Sequence, residues 1–197
     1  MNKLHVRDKI DPAVASMPIE TILKKYVARF GERKPDWHAF ADAAIDGWRR
    51  AQHRFIGNTS GKPDENIIPA GNFTLSIMAV PPGQGNAAHT HEVEEVFFVL
   101  KGHLTVFMED ESKRRVETVL GPWDCVSCPA GVIHGYQNNT VEMVYLNVMV
   151  GKGKPDLMGY TDPELFKRRR EHIDMTEKPE GGLNHGVDRT SSAPSGT

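Results

Sequence analysis

From Phe73 to about Val150 the chain is cut into short runs rich in Val, Phe, Thr and Tyr, each ended by a cluster of Gly, Pro, Asn or Asp. Seven runs have this texture: 73–80, 95–100, 103–109, 116–120, 125–128, 135–136 and 142–150. They are too short and too β-branched to hold a helical stripe, and short strands separated by regular turn signals pack as a sandwich or barrel. An earlier apolar pair, Phe55-Ile56, adds a strand ahead of a loop rich in Gly, Pro, Asn and Asp. No internal repeat is visible, so a single barrel over residues 51–152 is expected.

The flanks read differently. Ile19, Ile22, Leu23, Tyr26, Val27 and Phe30 recur at helical spacing, with Ser16 upstream as a cap and Gly31 as the stop. Trp37, Phe40, Ala41, Ala44, Ile45 and Trp48 give a second helical pattern, weakened by Gly47. Both apolar stripes are expected to lie on the barrel, so residues 1–50 form a helical extension. A short helix is expected within 153–175, starting at Pro163 with Asp162 as its cap. Its basic run, Lys167 to Arg170, reads as a solvated face. The Gly-, Pro-, Ser- and Thr-rich end, 176–197, is expected to be disordered.

The chemistry-bearing stretch runs from Gly83 to Gly102 and contains His89, His91 and Glu95. Side chains two apart on an extended chain share a face, so these three lie together and Glu94 falls opposite. Phe97 and Val99 continue that face as an apolar lining. Two imidazoles and a carboxylate bind a divalent cation when a further ligand arrives from elsewhere. The candidate is His134, in the stretch from Pro129 to Asn138, where Pro129 and Gly131 make a tight turn. His5, His38, His53, His103, His172 and His185 are left as structural or surface histidines. Cys125 and Cys128 read as strand residues pointing to opposite faces rather than as a redox or zinc pair, since no helix follows them.

Together the two stretches resemble the paired signature of the cupin superfamily. The first has the form G-x5-H-x-H-x3-E-x6-G from Gly83 to Gly102; the second has P-x-G-x2-H-x3-N from Pro129 to Asn138. One position departs: the family usually places Gly-Asp before the second proline, and here Trp123 precedes Asp124, with Gly121 and Pro122 nearby to supply the turn. The resemblance implies an all-β fold, an antiparallel jelly-roll barrel with N-terminal helices and a short C-terminal helix. It maps the four metal ligands to His89, His91, Glu95 and His134. It also implies a homodimer, as cupins often pair through the barrel.

Three neutral imidazoles and one carboxylate around a 2+ ion leave a net charge of about +1, and an octahedral ion keeps two positions for water or a bidentate guest. The expected partner is therefore a small anionic or chelating molecule. With Fe2+, the first choice, the resemblance points to an O2-dependent dioxygenase acting on an organic acid or a phenolic or enolic substrate. With Mn2+, Ni2+ or Zn2+ the ion serves as a Lewis acid in an isomerase, lyase or decarboxylase. A non-catalytic small-molecule-binding cupin is the third reading. Phe97 and Tyr136 are expected to border the substrate, Tyr136 either as a proton donor or as a barrel-filling aromatic. Arg54 is either a clamp for a substrate carboxylate or a surface arginine. A formal charge of −2 leaves no footprint for nucleic acid. No run approaches the roughly 20 apolar residues of a membrane span, and the start has no apolar signal core, so a cytoplasmic protein is expected.

Overall fold

The computed structural model describes residues 9–57, 66–151 and 158–169. Among these, ten strands make two five-stranded sheets. The first contains β1 (Ala51–Ile56), β2 (Phe73–Val80), β9 (Val144–Gly151), β4 (Glu95–Lys101) and β7 (Cys125–Cys128), in that order. The second contains β10 (Gly159–Tyr160), β3 (His89–Thr90), β8 (Ile133–Gln137), β5 (Leu104–Glu109) and β6 (Arg115–Leu120). Every pairing between these strands is antiparallel. The all-β barrel expected from the run lengths, of the antiparallel jelly-roll kind that the resemblance implies, is the fold observed. No helix of the described residues is long and apolar enough to cross a membrane.

Period-2 patterning explains which way the strands face. Burial alternates along β4 and along β9, and the registers align the buried positions into rows across the first sheet. One row runs Arg54, Ser76, Val148, Phe97, Val126; another runs Thr74, Val150, Glu95, Cys128. These inner rows meet Leu104, Val106 and Tyr136 of the second sheet in one apolar core. A fully buried Phe or Leu contributes about 1.5–3 kcal/mol, so Phe97, Leu104 and Leu146, all 1 % exposed or less, are main contributors. The outermost strand β6 has one paired neighbour and leaves Val116 and Val119 in solvent.

The flanks differ from expectation in three ways. The first helical pattern yields only α1 (Ile19–Lys25), which ends before Val27 and Phe30 and has no side-chain cap, Ser16 included. Its apolar stripe does not lie on the barrel, for Ile19 and Leu23 are about two-thirds exposed. The second pattern forms no α-helix. Asp36 bridges Gln52 of β1, a single 3-10 turn spans Asp42–Ala44, and Gly47 takes a left-handed φ of 92°. The aromatic spacing there serves packing: Phe40 lies against the barrel core, while Ala41, Ile45 and Trp48 join a second cluster with Ala87, Tyr160 and Leu165. At the other end, residues 159–160 add a strand beside β3, and helix α2 (residues 163–169) follows. Asp162 caps it as expected, its carboxylate accepting from the backbone N–H groups of Glu164 and Leu165. Residues 176–197 lie outside the described residues.

The turn into β7 settles the departure at Trp123. Trp123 itself adopts φ 76°, the conformation a glycine would hold there, and its N–H donates to Val99 O at 2.8 Å. Asp124 closes the turn by accepting from Gly121 N–H at 2.9 Å. A left-handed non-glycine residue costs about 1–2 kcal/mol, and this residue is 74 % exposed, its ring meeting Phe98 edge-on. Trp123→Gly is therefore expected to keep stability within about 1 kcal/mol of the parent, the relieved strain offsetting lost contact and added chain entropy. Urea unfolding checks this; a loss above about 2 kcal/mol would show that the indole packs more firmly than its exposure indicates.

Candidate metal centre

His89 sits on β3, His91 follows in the crossover, Glu95 opens β4, and His134 lies on β8. Extended chain from His89 to Glu95 would hold their Cα atoms about 20 Å apart, so shared face alone does not bring them together. The chain instead leaves the second sheet after Thr90 and enters the first at Glu95, and the two sheets then face the ligands toward each other. His89 and His134 are direct register partners. The three Nε2 atoms, of His134, His89 and His91, stand 2.9, 3.2 and 3.4 Å from Glu95 Oε2. All four residues are buried.

Local backbone explains the aim of the rings. His89 Nδ1 lies 2.9 Å from Ala87 O, and His134 Nδ1 lies 2.7 Å from Val132 O. With Nδ1–H donating to a carbonyl, the neutral ring presents Nε2 to the centre, which is the tautomer a metal requires. Gly131, at φ 78°, makes the turn before β8, and its N–H donates to His91 O at 2.9 Å, tying the second motif to the first. Asn138, completely buried, donates to Val80 O and Glu142 O, so the last residue of the second motif holds a turn rather than a ligand.

The electrostatics match a cation site. Burial works against the Glu95 carboxylate, but the imidazoles of His134, His89 and His91, wherever Nε2 rather than an ion carries the positive charge toward it, outweigh burial and hold its pKa well below the usual range. Burial lowers the His89 pKa, opposed by Glu95, which favours the neutral imidazole that can ligate. The ligand atoms all lie within 4.8 Å of one another. Octahedral ligands at about 2.1 Å from an ion are spaced about 3 to 4.2 Å apart, so this buried set of three nitrogens and one carboxylate needs to close by only about half an ångström at its widest to hold a divalent metal.

The neighbouring residues fall into place as follows. Phe97, on the inner row next to Glu95, packs edge-on to Tyr136 at 5.0 Å and tilts toward the His134 ring at 5.8 Å. Tyr136 lies two residues past His134 on the same face, fully buried, and burial raises its pKa so that the phenol keeps its proton. Arg54 is on the inner face of β1, three strand spacings or about 14 Å from β4, and its guanidinium pairs with Asp36 at 3.3 Å. Cys128 faces inward opposite Glu95 and its thiol is pushed up to about 12 by burial and by Glu95, whereas Cys125 points out; both are free thiols. His38 and His103 are exposed, and His53 is buried beneath Phe30 on the outer face. His5, His172 and His185 lie outside the described residues.

A second polar cluster behind His89 was not anticipated from the sequence. Asp42, with no exposed surface, accepts from Arg50 Nη1 at 2.9 Å, from Ala87 N–H at 3.0 Å and from the Tyr160 hydroxyl at 3.0 Å. Arg50 is also buried; it donates to Trp48 O and its guanidinium stacks over Phe40. Asp42 lies inside the repeat from Trp37 to Trp48 and Arg50 two residues beyond it, and the spacing of that repeat marks neither as buried.

The family profile described as Cupin domain matches residues 76–150. No curated protein matches the chain. Among solved structures, the polyketide cyclase RemF from Streptomyces resistomycificus has a TM-score of 0.51 at 17% identity, covering 75% of this chain and 95% of its own. Peruvianin-I, a cysteine peptidase from Thevetia peruviana latex, gives 0.52 at 14% identity, covering 74% and 80%. The DMSP lyase DddQ from Ruegeria pomeroyi DSS-3 gives 0.50 at 20% identity, covering 73% and 64%. At such identities the likeness concerns the fold. Motif spacing, facing sheets and profile agree that residues 76–150 match a cupin domain, with the four positions of its metal motif filled by His89, His91, Glu95 and His134.

Proposed function

We propose that the protein is a metal-dependent enzyme acting on a small chelating organic acid or a phenolic or enolic compound, and that its reaction is an O2-dependent dioxygenation. The observation that supports this is the quartet itself: three imidazoles and one carboxylate, buried at the edge of an apolar interior, with ring orientations set by backbone carbonyls. Such a ligand set leaves room for a two-point anionic guest. A bound divalent ion supplies Lewis acidity and, as iron, access to O2 chemistry. Phe97 and Tyr136 shape the space beside it, and Phe97 keeps water away from the reacting carbon. Fe2+ is the proposed ion, with Mn2+, Ni2+ and Zn2+ as alternatives, and a cytoplasmic homodimer is the proposed working form. Arg54 is the proposed anchor for a distal carboxylate.

Tyr136 favours one second reading. A phenol held protonated by burial is a hydrogen-bond donor for a developing enolate or alkoxide, which suits a non-redox isomerase, lyase or decarboxylase. An oxygen electrode separates the two. Protein loaded with Fe2+ is offered catechols, hydroxybenzoates and β-diketones. Oxygen uptake that disappears in His134→Ala is the expected result. Turnover of the same compound at full rate under strict anaerobiosis would overturn the dioxygenase and leave the Lewis-acid reading.

A further inference from the structure

We propose that Asp42, together with Arg50 and Tyr160, is a positioning group for the metal ligand His89, reaching it from outside the segment that carries the cupin motifs. The inference rests on the four-residue metal centre and not on the reaction assigned to it.

The path from Asp42 to the ligand is short and continuous. One carboxylate oxygen of Asp42 accepts from the backbone N–H of Ala87 at 3.0 Å, and Ala87 O in turn takes the Nδ1–H of His89 at 2.9 Å. Ala87 is thus held on both sides, by Asp42 at its nitrogen and by the ligand ring at its oxygen. The other carboxylate oxygen accepts from Tyr160, whose strand pairs residue for residue with His89 and whose ring stands 6.4 Å from the imidazole. Thr161 N–H donates to Ala88 O at 3.1 Å and closes the same loop from the other edge. Arg50 fixes Asp42 in turn, within 3.5 Å of Gly85 O and 2.9 Å of the carboxylate. Residues 85–89, the approach to the first ligand, are therefore braced by side chains from residues 42, 50 and 160.

Three features indicate positioning rather than simple packing. The whole cluster is buried, so its polar groups cannot exchange partners with water without opening the structure. Asp42 and Arg50 each reach the loop that carries one ligand, at Ala87 N–H and at Gly85 O. His134 is oriented by its own local carbonyl, Val132 O, and among the described residues no comparable buried side-chain cluster braces that carbonyl. Loss of an outer partner of a metal-binding histidine weakens metal affinity by about 10- to 100-fold, and the loss should show in the geometry around the ion as well as in its affinity.

Co2+ titration followed by visible absorption tests this on the full chain, using the d–d bands as a report of coordination geometry. The parent is expected to bind one Co2+; a parent that binds none overturns the metal centre and this proposal with it. Asp42→Asn, measured where circular dichroism shows it folded, is expected to bind Co2+ about 10- to 100-fold more weakly with a changed d–d spectrum. Tyr160→Phe removes one hydroxyl and keeps the ring, so it provides the test if Asp42→Asn does not fold. Its expected loss is about 2- to 10-fold, that of a single hydrogen bond, with a smaller spectral change. A cluster that only stabilises the fold would lower the unfolding midpoint yet leave the affinity and spectrum of folded protein unchanged. That result in either folded variant overturns the proposal.

Discussion

Glu95→Gln is expected to abolish stoichiometric metal binding, while Glu94→Gln, one residue earlier, leaves it intact. Glu95 is the one anionic ligand in the quartet, and its oxygen is the point on which three Nε2 atoms converge. The amide is nearly isosteric but neutral, so a 2+ ion would sit buried among neutral donors with its charge uncompensated. The affinity loss should exceed the roughly 100-fold seen at most when an outer partner is removed. Glu94 is exposed on the opposite face and accepts from the Ser127 hydroxyl. Metal content after gel filtration distinguishes the two variants, and a thermal shift gives a second readout, since ligand at 100 times its Kd stabilises by about 2.7 kcal/mol. Retention of metal by Glu95→Gln, or its loss in Glu94→Gln, would overturn the ligand assignment.

Arg50→Met carries the largest expected cost in stability. Met fills much of the same volume and keeps contact with Phe40, but it leaves the Asp42 carboxylate buried without its cation. Burial alone would lower the Arg50 pKa; Asp42 and the two nearby tyrosines outweigh burial and raise it, so the guanidinium is charged at any working pH. Breaking one side of a buried ion pair costs about 3–5 kcal/mol, a large part of the 5–15 kcal/mol available to a typical domain. In many proteins an apolar pair restores that loss. Here Arg50→Met combined with Asp42→Leu should recover only part of it, because Asp42 also accepts from Ala87 and Tyr160. Each donor stranded by its removal costs about 1–3 kcal/mol. Urea midpoints of the single and double variants decide the matter; full recovery in the double variant would show that the other two bonds contribute little.

The strands were legible because their causes are local. Period-2 burial and turn residues lie within a few positions of each other, and β2 and β7 begin and end where the runs do. The ligands were legible by spacing, and face parity separated Glu95 from Glu94 correctly. Convergence was not legible: it depends on a change of sheet between His89 and Glu95, which no pattern within seven residues reports. The aromatic repeat from Trp37 to Trp48 misled because packing against a barrel wall can use the spacing that a helix uses, and Gly47 was the sign against a helix. Asp42 and Tyr160, 118 positions apart, meet only in the folded chain. Trp123 shows the reverse, a turn whose backbone persists although its side chain departs from the family pattern.

The division of the ligands between the two sheets also orders events in time. His134 lies 39 positions beyond Glu95, and Glu95 pairs in turn with Val150 of β9. Strand pairings of such separation form slowly, because the loop must close before any contact rewards it. A chain still being synthesised can show His89, His91 and Glu95 to an ion, but as an open stretch with no fourth donor and no fixed ring orientation. High-affinity capture therefore waits until β8 and β9 have docked. On these grounds the barrel would assemble first, and an ion would enter a cage already built.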